Sequence, residues 1–235
     1  FGAPPLLYGR TEGSTPFRLS LHVGDVGHTL VVGPTGAGKS VLLALMALQF
    51  RRYTRSQVFA FDFGGSIRAC ALAMQGDWHD LGGELTEASE TSVSLQPLAR
   101  IHETAERAWA ADWIVAILTR ENIQITPEVK EHLWTALTSL ASAPVGERTI
   151  TGLAVLLQSN DLKQALRSYC VGGPYGRLLD AEAEHLGSAD VQAFEIEGLV
   201  GTGAAPAVLA YLFHRIGDRL DGRPTLLIID EGWLA

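Results

Sequence analysis

Only three lysines stand in the 235 residues, Lys39, Lys130 and Lys163, and basic side chains number 18 against 26 acidic ones, for a formal net charge of −8. No block of like charge stands out along the chain. Neutralising a nucleic-acid backbone requires a basic patch, so direct nucleic-acid binding is not supported by charge. The nearest approach to such a patch is Arg51, Arg52 and Arg55, which read as the closing, solvated end of a helix. Cysteine is scarce too: Cys70 and Cys170 lie far apart, with no C-x-x-C or Cys/His spacing around them. That excludes a disulfide framework and a zinc site, and it fits a reducing cytoplasm. The seven histidines form no spaced pair on a helix that would suggest a metal site. Long apolar runs are missing as well. No stretch approaches the roughly 20 residues of a membrane-spanning helix, and "FGAPPLLYGR" lacks the basic-then-apolar layout of a signal peptide. A soluble piece is expected, one that can still dock at a membrane.

What is present is material for a core. With 47% hydrophobic and 19% charged residues, the chain can bury one large domain or one domain with an insertion. "GHTLVVGPTGAGKSVLLALMALQFRRY" reads as an apolar strand over His28–Val32, a Gly-rich turn, and a helix from about Lys39 to Tyr53. "QVFAFDF" follows as a second strand with Asp62 at its C-terminal end, completing a βαβ unit with parallel strands. From about Ile101 the pattern turns helical. Trp109, Trp113 and Ile117 share the i, i+4, i+8 face of one helix. Thr126 caps a second helix, with Pro127 at its first position and Leu133, Leu137 and Leu140 on its buried side. "TGLAVLLQ" and "NDLKQALRSY" add two short helices. Sheet signals return at "DVQAFEIEGLV", then a long helix "APAVLAYLFHRIGDRL", then the strand "TLLIID". Glu195 and Glu197 alternate along their strand and read as its polar face. The organisation expected is an α/β domain over 1–100 and 176–235, interrupted by an all-helical insertion over 101–175.

Chemistry concentrates in two places. Gly33, Pro34, Thr35, Gly36, Ala37, Gly38, Lys39 and Ser40 spell G-x-x-x-x-G-K-[ST], placed after a strand and at the start of a helix. Glycines let successive backbone N–H groups turn toward phosphate oxygens, and the helix N-terminus adds partial positive charge. Lys39 can reach the outer phosphates as a point charge; the Ser40 hydroxyl is a hard oxygen ligand for Mg²⁺. The second place is the end of "TLLIIDEGWLA". Leu226 to Ile229 read as a central strand covered on both faces, delivering Asp230 and Glu231 to the crevice at the C-terminal end of a parallel sheet. Asp230 there would hold Mg²⁺, and Glu231 would orient and deprotonate the attacking water. Carboxylates after a strand also serve as helix caps or simply meet solvent; the complete phosphate loop in the same chain decides for the metal role.

Other matches are discounted. "DFG" at Asp62 to Gly64 is shared with kinases, but no HRD stretch accompanies it. D-x-x-G at the same place is shared with GTPases, yet no N-K-x-D reader of guanine exists, so ATP is preferred. Asp62 either lines the crevice behind the metal ligands or starts a turn with Gly64 and Gly65. Arg215, Arg219 and Arg223 lie near the last helix, where a role across a subunit interface and a solvated helical end fit equally well.

Taken in order, "GHTLVVGPTGAGKSVLL", "FAFDFGGSIRA", "GPYGRLLD", "FEIEGL" and "LLIIDEGWLA", with a helical block between the second and third, resemble the conjugal transfer ATPases of type IV secretion systems, TrbE type. These are RecA-like P-loop motors of the FtsK/HerA group, and the resemblance covers nearly all of the chain as a C-terminal motor domain. It implies an ATP-hydrolysing, hexameric or similarly oligomeric protein working with type IV secretion subunits. It further implies peripheral association with the cytoplasmic face of the inner membrane. Phosphate and magnesium roles carry over to Gly33 through Ser40, the magnesium role to Asp230 and water activation to Glu231. Relatives have an acidic residue where Asp62 stands, but "DFGGS" replaces a more charged loop. Family members also continue past the Glu and carry a long N-terminal domain, so a fragment ending just past the second catalytic strand is expected. A DNA-translocating motor of the same superfamily shares both motifs, and a nucleotide-binding or assembly module without turnover is the alternative from another class.

Overall fold

The computed structural model describes residues 4–22, 27–82 and 93–231. The first residues of "FGAPPLLYGR" and the last four of "TLLIIDEGWLA" lie outside them. In chain order the elements are β1 (Leu7–Arg10), β2 (Pro16–Leu19), α1 (Lys39–Phe50), β3 (Gln57–Asp62), α2 (Arg68–Ala73), β4 (Asp77–Asp80), α3 (Thr104–Arg120) and α4 (Pro127–Leu140). There follow α5 (Ile150–Leu156), α6 (Asn160–Leu166), α7 (Gly176–Leu179), β5 (Val191–Glu195), α8 (Ala205–Gly217) and β6 (Thr225–Ile229). They form two compact units, one from residues 4–79, 187–197 and 220–231, the other from 80–186 and 198–219.

The first unit is organised by a sheet of strand order β4-β5-β3-β6, in which β3 pairs in parallel with both β5 and β6. β3 is "QVFAFD", and all six residues are buried. Alternation sorts its side chains to two faces. Val58 and Ala60 pack with Met46, Ala47 and Phe50 of α1 and with Ala193 and Ile228 of the neighbouring strands. Phe61 belongs to the other face, where it stacks on Phe194 at 5.2 Å, and Phe194 in turn stacks on His79 at 5.3 Å. Each large apolar side chain buried this way contributes about 1.5–3 kcal/mol relative to exposure. The register sets Asp62 opposite Glu195 and Phe61 opposite Ile229, and Asp230 N–H continues the ladder to the Phe61 carbonyl at 2.9 Å. β1 and β2 make a separate antiparallel hairpin.

Two expectations are corrected in this unit. His28–Val32 is not a strand: it joins none of the ladders, and Leu30 and Val32 are 88% and 83% exposed. An apolar, β-branched segment becomes a strand only where a neighbour takes its N–H and C=O groups, and no described strand lies alongside it. β6 is not central either. It ends the strand order, and Leu227 and Ile229 remain 43% and 44% exposed on the face opposite Ile228.

The second unit is helical. Trp113, Ile114, Ile117 and Leu118 are the buried side of α3, and the indole N–H of Trp113 donates to the Ala207 carbonyl of α8 at 2.9 Å. Thr126 caps α4, accepting from Val129 N–H at 3.3 Å, with Pro127 behind it and Leu133, Leu137 and Leu140 buried. Arg100 bridges Glu106 at 2.8 Å and Asp218 at 2.5 Å, and His214 bonds Glu106 at 3.2 Å while stacked on Trp109 at 4.0 Å. Glu106, His214 and Asp218 together could form a metal site, but Arg100 already supplies the cation between the two carboxylates. Among the described residues no helix is long and apolar enough to cross a membrane.

Candidate functional site

The Gly-rich loop owes its shape to two left-handed glycines, Gly36 at φ 81° and Gly38 at φ 85°. A Cβ at either position would meet nothing within 4 Å, so conformation rather than crowding demands glycine there. Ala37 N–H closes the turn onto the Pro34 carbonyl at 3.2 Å, and α1 begins at Lys39 with Gly38 as its cap. Pro34 through Gly38 are exposed. The first N–H groups of α1 have no partner inside the helix and carry the positive end of its dipole, which suits an anion. The Lys39 ammonium folds over the loop, donating to the carbonyls of Gly33 at 3.1 Å and Pro34 at 3.4 Å.

Beside the start of α1, the C-terminal ends of three neighbouring parallel strands each bear a buried carboxylate: Glu195 on β5, Asp62 on β3, and Asp230 just past β6. Charges so buried need partners, and each carboxylate has its own. Asp230 accepts from the Ser40 hydroxyl at 2.9 Å through Oδ2 and from Glu231 N–H at 3.0 Å through Oδ1. Asp62 accepts from the Ser66 hydroxyl at 2.5 Å and from Ile67 N–H at 2.8 Å. Glu195 accepts from Gly64 N–H at 3.1 Å, from Gly65 N–H, and from Glu197 N–H at 2.9 Å.

A small cavity collects the Ser40, Asp230, Asp62 and Ser66 side chains over a floor of Leu43, Ile67 and Ile228. Ser40 and Asp230 are thus brought together, while Lys39 lies on the loop and is not among the residues lining that cavity. Glu231 adopts a left-handed backbone, φ 51°, and one of its carboxylate oxygens is buried without a hydrogen-bond partner among the described residues. Paired hard oxygens from a serine and an aspartate fit a small dication such as Mg²⁺.

Both readings of Asp62 hold at once: it starts the turn at Ser66 and Ile67, and it lines the cavity. The polar-face reading of Glu195 is corrected. Glu197 is exposed, but Glu195 is 7% exposed and turned into the loop after β3. Alternation alone could not find it, because its partners lie 130 and 131 residues earlier. The signal that could have done so is the Gly-Gly pair itself, whose N–H groups make an anion-holding concavity. Of the three late arginines, Arg215 pairs with Asp218 at 2.9 Å and Arg223 with Asp190 at 2.7 Å.

No established family profile matches the chain. A solved structure, VirB4 of Thermoanaerobacter pseudethanolicus, superimposes with a TM-score of 0.73 over 100% of this chain and 69% of that one, at 16% sequence identity. That likeness, with the mainly parallel sheet, makes this an α/β fold of the RecA-like class. In sequence the chain is 46% identical over 232 residues to a probable TrbE conjugal transfer protein of Sinorhizobium fredii, covering 98% of this chain and 35% of that protein. It is 44% identical over 235 residues to the conjugal transfer protein TrbE of Rhizobium radiobacter, covering 99% and 28%. The chain belongs with the TrbE/VirB4-type proteins of type IV secretion systems, since it is also 25% identical over 233 residues to a type IV secretion system protein virB4 of Bartonella henselae, and it spans about a third of the length of the curated relatives it matches.

Proposed function

We propose that the chain binds ATP with Mg²⁺ and hydrolyses it, as the motor portion of a protein that energises conjugative transfer and pilus assembly by a type IV secretion system. The observation that carries this reading is the contact between the Ser40 hydroxyl, in the first turn of α1, and Asp230 at the end of β6. The phosphates would lie along the N–H groups of Thr35 through Ser40, Pro34 having none to offer, and against the Lys39 ammonium. Ser40 and Asp230 would hold Mg²⁺, which would supply neutralisation of the charge developing on the phosphate oxygens. Glu231 accepts a proton from water and orients it in line with the terminal phosphorus; its buried, unpartnered oxygen supports that role.

The relatives' names, which speak of conjugal transfer and of type IV secretion, support the setting; the other subunits of such an apparatus are the proposed partners. A hexameric or similarly oligomeric protein at the cytoplasmic face of the inner membrane completes the proposal. We keep the division into an ATPase domain over 1–100 and 176–235 with a helical insertion over 101–175. What supports it is that β3 and the pair β5 and β6 come from opposite sides of that block and share one sheet.

The test is Glu231→Gln in the full-length transfer protein. Mg-ATP binding should persist while turnover falls at least about 10²-fold, the usual worth of a positioned base. Turnover at the original rate would remove Glu231 from the mechanism.

A further inference from the structure

The residues Phe63 to Ile67 connect β3 to α2, and two carboxylates hold them from opposite sides. Asp62, at the loop's start, takes the Ser66 hydroxyl and Ile67 N–H. Glu195, directly across the strand pair from Asp62, takes Gly64 N–H and Gly65 N–H. Gly64 and Gly65 both lie at left-handed φ, 84° and 67°, which turns their two N–H groups the same way, onto the one carboxylate. Glu197 N–H completes the set around Glu195. Five donors, four from backbone and one from a side chain, therefore satisfy two buried like charges that parallel register places side by side.

The clamp has a consequence at the cavity that holds Ser40 and Asp230. Asp62 and Ser66 line that cavity, and the Asp62 carboxylate is held by the loop's Ser66 hydroxyl and Ile67 N–H. A carboxylate offers roughly four acceptor positions. Ser66 and Ile67 use one on each oxygen of Asp62, so acceptor capacity remains beside the Ser40–Asp230 pair. Mg²⁺ keeps several of its waters when bound by one or two protein groups, and those waters need acceptors.

We propose that Glu195 is a positioning residue for metal-dependent nucleotide binding. By fixing Gly64 and Gly65 it holds the loop so that Asp62 faces the Ser40–Asp230 pair and accepts hydrogen bonds from water on the metal. The inference rests on the Mg-ATP reading of the site and adds the residue that orients the support behind the metal ligands. Glutamine at 195 would turn an amide N–H toward one of three N–H donors, so the full set could not be accepted.

The experiment is a titration of a fluorescent ATP analogue (mant-ATP) against the wild-type protein, Glu195→Gln and Ser66→Ala, in EDTA and across a Mg²⁺ series. Thermal melts of each variant run alongside. The expected result is that Glu195→Gln weakens the apparent Mg²⁺ affinity roughly 10–100-fold, as loss of an outer partner of a metal site does, while affinity in EDTA is unchanged. Ser66→Ala, an exposed side chain, should shift the Mg²⁺ dependence in the same direction by a smaller factor, and it decides the matter should Glu195→Gln not fold. A folded Glu195→Gln or Ser66→Ala whose Mg²⁺ dependence matches wild type overturns the proposal, as does equal weakening with and without Mg²⁺, which marks a purely structural role. Absence of Mg²⁺-dependent binding in the wild type would instead sink the nucleotide reading itself, and this inference with it.

Discussion

Ser40 and Asp230 stand 190 residues apart and meet, hydroxyl to carboxylate, at 2.9 Å. The contact joins the first turn of α1 to the end of β6, so it fixes the end of the Gly33–Ser40 loop against the sheet. A double-mutant cycle with Ser40→Ala and Asp230→Ala, read by urea unfolding without metal, should give a coupling of about 0.5–3 kcal/mol, the range for residues in contact. Additive single effects would mean that the two side chains do not interact in solution.

His79 is 7% exposed, its Nε2 is buried without a partner among the described residues, and its ring stacks on Phe194. Burial lowers its pKa below the ordinary 6.5, with Asp77 pulling weakly the other way. As pH falls below 6.5 the unfolded chain takes up this proton before the folded one does. The stability that neutral His79 provides is therefore complete above that pH and is lost as pH falls through the folded pKa. His79→Phe keeps the stack and removes the unpaired nitrogen. Stability at pH 7 should change by less than about 1.5 kcal/mol, and the decline of unfolding free energy below pH 6.5 should become shallower. An unaltered slope would show that His79 does not titrate on unfolding.

Trp113 fills the α3–α8 contact and commits its only polar group to the Ala207 carbonyl. Trp113→Phe removes that hydrogen bond, although the Ala207 carbonyl keeps its partner within α8, and leaves a void beside it, so a loss of about 2–4 kcal/mol is expected in chemical denaturation. Trp134, 40% exposed with Arg107 over its ring at 5.3 Å, gives the contrast. Trp134→Phe should cost less than about 1 kcal/mol.

How much of this is legible in the sequence differs by residue, for physical reasons. The left-handed turn at Gly36 and Gly38 and the start of α1 at Lys39 can be read outright, because the G-x-x-x-x-G-K-[ST] pattern sets residue type and spacing in one continuous segment. β3 can be read because six consecutive residues are buried on both faces. The same reasoning misplaces β6. Four aliphatics in a row promise a hydrophobic environment, but which strands flank them depends on the rest of the sheet, and Leu227 and Ile229 lie at its edge. His28–Val32 fails for a related reason, since strand propensity without a neighbour forms no ladder. β4, "DWHD", carries no apolar alternation and is not legible at all. Asp230 can be placed at the end of β6 because it directly follows the aliphatic run. Glu195, at the matching place on β5, is misread as polar face because its partners, Gly64 and Gly65, lie far away in the chain.

The most direct measurement is calorimetric titration of ATP into the protein with and without Mg²⁺, for wild type, Lys39→Ala and Asp230→Ala. The expected result is saturable one-site binding by the wild type that Mg²⁺ strengthens, at least about tenfold weaker binding in Lys39→Ala from loss of a charge-assisted contact, and loss of the Mg²⁺ effect alone in Asp230→Ala. Wild-type binding that ignores Mg²⁺, or an Asp230→Ala variant that keeps the full Mg²⁺ effect, would contradict a metal–nucleotide site built on Ser40 and Asp230.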